Sequence, residues 1–461
     1  MTRIPILFAS SLALMAAAGQ PAPALAQDGS GIAAEIAAMR AEMSRMAARI
    51  DSLEAELAAT EAQAEAATEL AGQAVSAATA AEAGSAPPTD IVFKGAPQIE
   101  GENGWSFKPR GRLQYDAGFV NAPDSTGVSD GFGNEARRAR LGVSGDMPGG
   151  FGYKFEIDFA GSDVTVTDAL IGYETGDVEF TVGQFNNFQS LEELTSSLHT
   201  TMIERAAFTD AFGFERRVGV AAEYGGENVL VQAGLFTDNM DDLSNRNWSA
   251  DGRVVVNPKL GGDDTVLHLG GSIHYADLQS GETVRYRQRP LVHFTSTRFI
   301  NTGNLDASSE FGLGVEGAVI AGPFHAAAEG FWQQVNRPGA LTDPTFFGAY
   351  AEVGYFLTAG DTRGYKGGKF DRVKPTSPVG EGGAGSVQVN LRYDHLDLND
   401  AGVIGGTQDG YFLSLIWKPT DYTALLANYG RLQYDDTVIP AAGGDTSYGV
   451  DSFGVRAQVD F

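Results

Sequence analysis

The sequence predicts an all-β fold: a 16-stranded transmembrane antiparallel β-barrel with an N-terminal periplasmic coiled-coil helix. Three observations carry that reading. After Trp105, apolar and polar residues alternate with period two, clearest where Phe453, Val455, Ala457, Val459 and Phe461 interleave with Ser452, Gly454, Arg456, Gln458 and Asp460. The alternating segments are long, many about 10–13 residues against about 5–6 in soluble strands. At roughly 45° tilt, about 11 residues cover a hydrocarbon band of about 25 Å. Finally, connections alternate between tight and long, as when short periplasmic turns face long external loops.

The composition limits the function. The chain has 461 residues, with 32 Lys and Arg against 59 Asp and Glu, a formal charge of −27. That balance argues against a nucleic-acid partner. With no cysteine, disulfides and Cys-ligated zinc or iron–sulfur sites are excluded. His199, His268, His274, His293, His325 and His395 show no paired metal spacing, and no cofactor is expected. The sequence has neither a Gly-x-Ser-x-Gly nucleophile elbow nor a Gly-x-x-x-x-Gly-Lys-[Ser/Thr] phosphate loop. Beyond the N-terminus, no apolar run approaches the roughly 20 residues of a membrane helix. A soluble sandwich or a membrane barrel remains, and strand length favours the barrel.

The elements follow in order. Arg3, the apolar stretch Ile4–Ala18 and Ala24-Leu25-Ala26 read as a signal peptide over residues 1–26. Residues 27–83 read as helix. Ile32, Ile36, Met39, Met43, Met46, Ile50, Leu53 and Leu57 are spaced alternately four and three apart, a heptad seam that favours self-association over packing on a globular core. From about Ala58 the helix is Ala-rich and loses its large apolar seam. Gly84-Ser85-Ala86-Pro87-Pro88 opens a linker over 84–104, and the barrel occupies 105–461.

Within the barrel, strands are expected to start near 107, 136, 151, 164, 178, 214, 228, 250, 265, 310, 324, 345, 386, 410, 422 and 449. Tight turns include Glu174-Thr175-Gly176-Asp177 and Ala321-Gly322-Pro323. Asn186–Phe212 and Gln279–Ser309 are the long connections between them. An even strand number returns the C-terminus to the periplasmic side, where the linker enters. A barrel of this size leaves an aqueous channel unless loops fill it.

Several motifs, dispersed but in order, resemble one family. They are Arg137-Arg138-Ala139-Arg140-Leu141-Gly142-Val143, Val182-Gly183-Gln184-Phe185, Ser190-Leu191-Glu192-Glu193-Leu194-Thr195-Ser196-Ser197, Met202-Ile203-Glu204-Arg205-Ala206, and Ala351–Thr358 with Arg363-Gly364-Tyr365 and Arg372-Val373-Lys374-Pro375 after it. Over roughly residues 105–461 the chain resembles the phosphate-selective porin O/P family. The resemblance implies a homotrimeric, sixteen-stranded outer-membrane porin with arginines in the lumen, loops folded inward, and often a periplasmic coiled coil. One position departs: Asn186 stands where members commonly carry lysine.

Passage of an anion requires fixed positive charge that replaces lost hydration yet lets the ion leave. Arg285, Arg287 and Arg289 stand at i, i+2 and i+4, so in an extended segment they share one side, with Tyr286, Gln288 and Pro290 on the other. Guanidinium pairs bidentately with phosphate-like oxyanions. Arg112, Arg138 and Arg140 fall on polar strand faces. Arg205 follows the Leu-Thr-Ser-Ser stretch expected to form the constriction. Arg137 points oppositely to Arg138 in a regular strand, so it belongs at the rim or in an irregular stretch, because Arg facing lipid costs about 2–4 kcal/mol at the midplane. Asp168 should face water and orient lumen arginines by pairing. Lys366, Lys369, Arg372 and Lys374 lie in the long periplasmic connection 359–385, read as a basic loop at the exit or against phospholipid head groups.

The expected function is an outer-membrane, water-filled, anion-preferring channel, a homotrimer in lipid that passes phosphate or polyphosphate-like oxyanions. A general diffusion porin and a coiled-coil envelope tether are the alternatives.

Overall fold

The computed structural model describes residues 40, 41, 43–52, 54, 55, 58, 59, 62, 65, 66, 69 and 90–461, apart from 129, 130, 243–245 and 259–264. The chain divides into two units, 1–86 and 87–461. In the first, residues 43–52 are helical, and Met43, Met46 and Ile50 of the seam are exposed. The seam positions Ile32, Ile36, Met39, Leu53 and Leu57, and the signal-peptide segment 1–26, lie outside the described residues.

The second unit is a closed barrel of sixteen antiparallel strands: β1 (Ser106–Asn121), β2 (Gly131–Met147), β3 (Phe151–Asp158), β4 (Thr165–Thr175), β5 (Val178–Asn186), β6 (Arg216–Gly225), β7 (Val229–Phe236), β8 (Trp248–Val256), β9 (Thr265–Asp277), β10 (Ser309–Ala321), β11 (Phe324–Asn336), β12 (Thr345–Phe356), β13 (Ser386–Asp400), β14 (Val403–Thr420), β15 (Thr423–Asp435) and β16 (Tyr448–Asp460). Each strand pairs with the next. β16 pairs with β1 from Asp451↔Asn121 to Asp460↔Arg112, which closes the sheet and leaves no barrel edge. Alternation sets the faces: Leu113, Tyr115 and Phe119 are exposed outward, whereas Gln114 and Asp116 are buried in the lumen.

Two strands start earlier than the alternation predicts, at Gly131 and Val403 rather than near 136 and 410. Both extensions are glycine-rich and lack a period-two pattern of their own. Their partner strands supply the register instead. The 84–104 stretch read as a linker also holds structure: Asp90–Lys94 and Ala96–Glu100 form a hairpin paired to the start of β1.

Three connections fold into the barrel. The β5–β6 loop carries two short helices, α1 (Leu191–Leu194) and α2 (Ala207–Ala211). The β9–β10 loop buries Tyr286, Val292, Phe299 and Ile300 in the same apolar cluster as Met202, Ile203 and Phe208 of the first loop. The β12–β13 connection returns into the lumen as a small hairpin, Gly364–Lys366 paired with Lys369–Asp371. Glycines in the wall make room. A Cβ on Gly454 would lie 2.3 Å from Ile203, and one on Gly348 2.4 Å from Phe208.

Candidate functional site

The β5–β6 loop is tied to the wall all around the lumen. The N–H groups of Leu191 and Glu192 donate to the Glu329 carboxylate at 2.8 and 2.7 Å. Ile203 N–H donates to Asn428 Oδ1 at 3.0 Å, and Ala207 N–H to Asp394 Oδ2 at 2.8 Å. Arg392 donates to Glu192 Oε1 at 2.7 Å. Glu204 accepts two bonds from Arg137 (2.8 and 3.0 Å) and one from Arg456 (3.0 Å), while Arg456 also clamps Asp116 through two bonds of 2.7 Å. Burial opposes the charge on Glu204, but Arg137, Arg138 and Arg456 hold its carboxyl well below the usual range.

The position of Arg137 has a local cause. Register shifts between Gln114↔Arg138 and Tyr115↔Ala136, so Arg137 is the extra residue of a β-bulge. The bulge turns it toward Glu204 beside Arg138, and neither guanidinium faces lipid.

Three cavities succeed one another along the lumen. The external one, about 450 Å³, is lined by Arg285, Arg287, Arg289 and Arg298 with Asp210, Glu215 and Glu310. Arg285 and Arg287 are exposed there and Arg289 is half-buried, while Tyr286, Gln288 and Pro290 are buried on the other side. Tyr286 donates to Glu310 and Gln288 to Tyr434, which hold the segment extended. Arg289 is bound to Asp210 through its N–H (2.8 Å) and its guanidinium (3.4 Å). Arg298 was missed in the sequence because it stands nine residues away on the return limb of the loop. Burial and the neighbouring arginines, opposed by Asp210, push its pKa down to about 10.

A middle cavity of about 270 Å³ shares Asp210, Gly213, Glu215 and Arg289 with the external one. It shares Glu193 and Arg205 with a lower cavity of about 630 Å³. Glu193 and Arg205 therefore stand at the neck. Arg205 donates to the carbonyls of Glu192 (2.9 Å), Glu193 (3.0 Å) and Thr195 (2.8 Å), which caps the C-terminal end of α1. Its guanidinium lies 3.4 Å from the Glu193 carboxylate. Burial raises the Glu193 carboxyl above its ordinary value despite Arg205, Arg216 and Arg138.

Below the neck the wall is basic. Arg112 donates to the hydroxyls of Ser197 (2.9 Å) and Ser196 (3.4 Å). Arg138 donates to Gln114 Oε1 at 3.0 Å. Among the described residues, neither has a carboxylate partner. Arg140 does: it reaches Asp158 at 2.7 Å and Glu156 at 3.1 Å. Asp168 accepts from Lys154 at 2.8 Å and Arg216 at 3.1 Å, so it orients these two cations and not Arg138 or Arg140. Nine Lys and Arg side chains line the lower cavity against six carboxylates, in a chain whose net charge is −27. Arg110, Lys154 and Arg216 were missed in the sequence. Lys108, Arg110 and Arg112 repeat the i, i+2, i+4 spacing and could have revealed the first of them.

The inserted periplasmic connection spreads its four basic residues. Lys369 lines the lower cavity, where burial lowers its pKa against the pull of Glu223. Lys366 lines a separate cavity at the periplasmic mouth. Arg372 pairs with Asp460 and lies 4.9 Å over the Tyr422 ring. Lys374 is exposed. Arg363, not singled out in the sequence, is buried between Glu352 (3.0 Å), the His199 carbonyl (3.3 Å) and the Phe370 ring (3.5 Å). These contacts join the periplasmic insertion to the β5–β6 loop. Among the described residues, the strands that line the lower cavity are β1 to β7.

The profile of the phosphate-selective porins O and P matches residues 107–461. The chain belongs to that family. A Caulobacter vibrioides protein is 46% identical over 390 residues, covering 81% of this chain and 78% of its own length. Among solved structures, the trimer form of the outer-membrane protein OmpT of Vibrio cholerae is 12% identical, with TM-score 0.50, and covers 78% of this chain and all of its own. OprB of Pseudomonas putida is 11% identical, with TM-score 0.50, covering 78% of this chain and 95% of its own. At such identities these two speak for the fold. Family and fold together give this porin as a channel of the outer membrane rather than an enzyme.

Proposed function

We propose that this porin passes small oxyanions, phosphate among them, along an off-centre path beside β1 to β7. The observation that carries the reading lies just below the neck. Arg112 and Arg138 meet hydroxyl and amide oxygens there instead of carboxylates. An entering anion replaces those neutral acceptors with a charged one, and a bond between two ionised groups is stronger. Arg285, Arg287, Arg289 and Arg298 gather anions outside. Lys154, Arg216 and Lys369 pass them on below, each site shallow enough to release the ion. Asp168 holds two of these cations in place. The working protein is a homotrimer in outer-membrane lipid, with residues 1–26 removed and the heptad helix in the periplasm.

The test is the reversal potential of single channels across a potassium chloride gradient, followed by titration of phosphate as a blocker of chloride current. Anion preference and phosphate block are expected. A general diffusion porin is the second reading, favoured by the middle cavity, where five carboxylates outnumber four arginines. It gives a reversal potential near zero and no block.

A further inference from the structure

The hairpin before β1 is built like a piece of barrel wall. Ile91 opposes Ile99 and Ile99 opposes Phe107, so the three share one face, and Phe93 with Pro97 extends it. Phe107 lies on the same face of β1 as Leu113 and Tyr115, which face lipid. Phe93 is 76% exposed and Ile91 59%, with Ile99, Trp105 and Phe107 also exposed. The other face carries Lys94, Gln98 and Glu100 beside Val92 and Ala96. Gln98 donates to Glu100 at 2.8 Å, Lys94 lies 3.6 Å from Glu100, and Lys108 Nζ donates to the Lys94 carbonyl at 2.9 Å. Gln98 lines the 830 Å³ cavity of the periplasmic mouth together with Lys108, Arg110 and Lys366. The turn at Gly95, with φ of +83°, is seated on the Tyr422 ring, where a Cβ would come within 2.5 Å.

We infer that this hairpin is a membrane-binding element whose Ile91–Phe93–Ile99 face enters the acyl chains of the periplasmic leaflet. An apolar surface of this extent is unstable in water and needs a partner. Its apolar face continues across the Ile99–Phe107 pairing into the lipid face of β1, and that continuity selects lipid as the partner.

The chain contains no cysteine, so single cysteines can carry nitroxide labels in the full-length protein. Phe93→Cys, Leu113→Cys as a lipid-facing reference and Gln98→Cys as a lumen-side reference would be labelled in phosphatidylethanolamine–phosphatidylglycerol vesicles. At position 93, collisions with lipid-dissolved oxygen should exceed those with an aqueous nickel chelate, as at 113 and opposite to 98. Preference for the nickel chelate would place the face in water. Exclusion of both reagents, together with disulfide-linked dimers of the unlabelled Phe93→Cys protein, would place it against a second copy. Either result overturns the proposal. Conductance recorded on the same labelled proteins checks that each is a folded channel.

Discussion

Just below the neck, two arginines with neutral partners set what substitution can do. Replacing Arg112 and Arg138 together with Gln removes both charges while keeping polar contact with Ser197 and Gln114. A hydrogen bond to a charged group contributes about 1.5–3 kcal/mol, so phosphate block of chloride current should weaken by about tenfold or more. In the proposed path the external set gathers anions rather than binding them. Changing Arg285, Arg287 and Arg289 to Gln should reduce anion preference, and phosphate block more than chloride conductance, with thermal unfolding hardly moved because the segment is loop. Unchanged block would remove these three from the path. Glu193 gives a pH signature. Its carboxyl is raised by burial, so as pH falls it takes a proton before ordinary carboxylates do, and the neck loses a negative charge. Anion preference should therefore rise on mild acidification. Glu193→Gln should show the higher preference already at neutral pH and lose that increment. Arg298, Lys154 and Arg216 show no regular spacing, but Arg285, Arg287 and Arg289 were legible as candidates from theirs, at i, i+2 and i+4. The partners of the path cations were not. Arg138 meeting Gln114, or Arg140 meeting Asp158, depends on register between strands, and one inserted residue at Arg137 changes it.

The β5–β6 loop behaves as part of the wall. Backbone N–H groups at both ends of the loop bond strand carboxylates, and Glu204 joins it to β2 and β16. Removing one partner of a buried ion pair costs about 3–5 kcal/mol because the other charge is left uncompensated. Glu204→Ala should therefore free the loop. Single-channel recordings are expected to show added current noise and substates, while the barrel keeps its folded mobility in gels. A quiet channel of unchanged conductance would show that the remaining anchors suffice. The loop's existence was readable from the long polar stretch and its Leu-Thr-Ser-Ser run. Its seating was not, because Gly454 and Gly348 look like ordinary strand glycines until Ile203 and Phe208 are found against them. The periplasmic insertion was hidden more deeply. Its glycines and lysines suggest a solvated loop, yet Phe370 and Val373 are buried, and Arg363 reaches a glutamate on β12.

For the whole molecule, sixteen strands, their faces and their order followed from period-two alternation, since a closed sheet between lipid and water leaves little freedom in where apolar residues go. The position of the channel did not follow. A barrel viewed as a uniform ring would place it at the centre, but three insertions fold into the lumen and the lower cavity lies beside β1 to β7. Assembly is expected to reside in the barrels. The heptad seam is short and contains three methionines, whose flexibility specifies packing poorly. Deleting residues 27–88 should leave trimers in mild detergent, as judged by light scattering. Recovery of monomers alone would move the assembly determinant to the helix.

Arg456 lies in the last strand, and its side chain meets Asp116 across 340 positions of sequence and Glu204 across 252. The bond that finishes the cylinder and the bond that fixes its obstruction are thus made by one guanidinium. Such distant partners are the slowest to find each other. Until that final strand arrives, an incomplete cylinder has open edges and a constriction that lacks one of its anchors. Closing the wall and adding the last tie on the bore thus fall to the same strand.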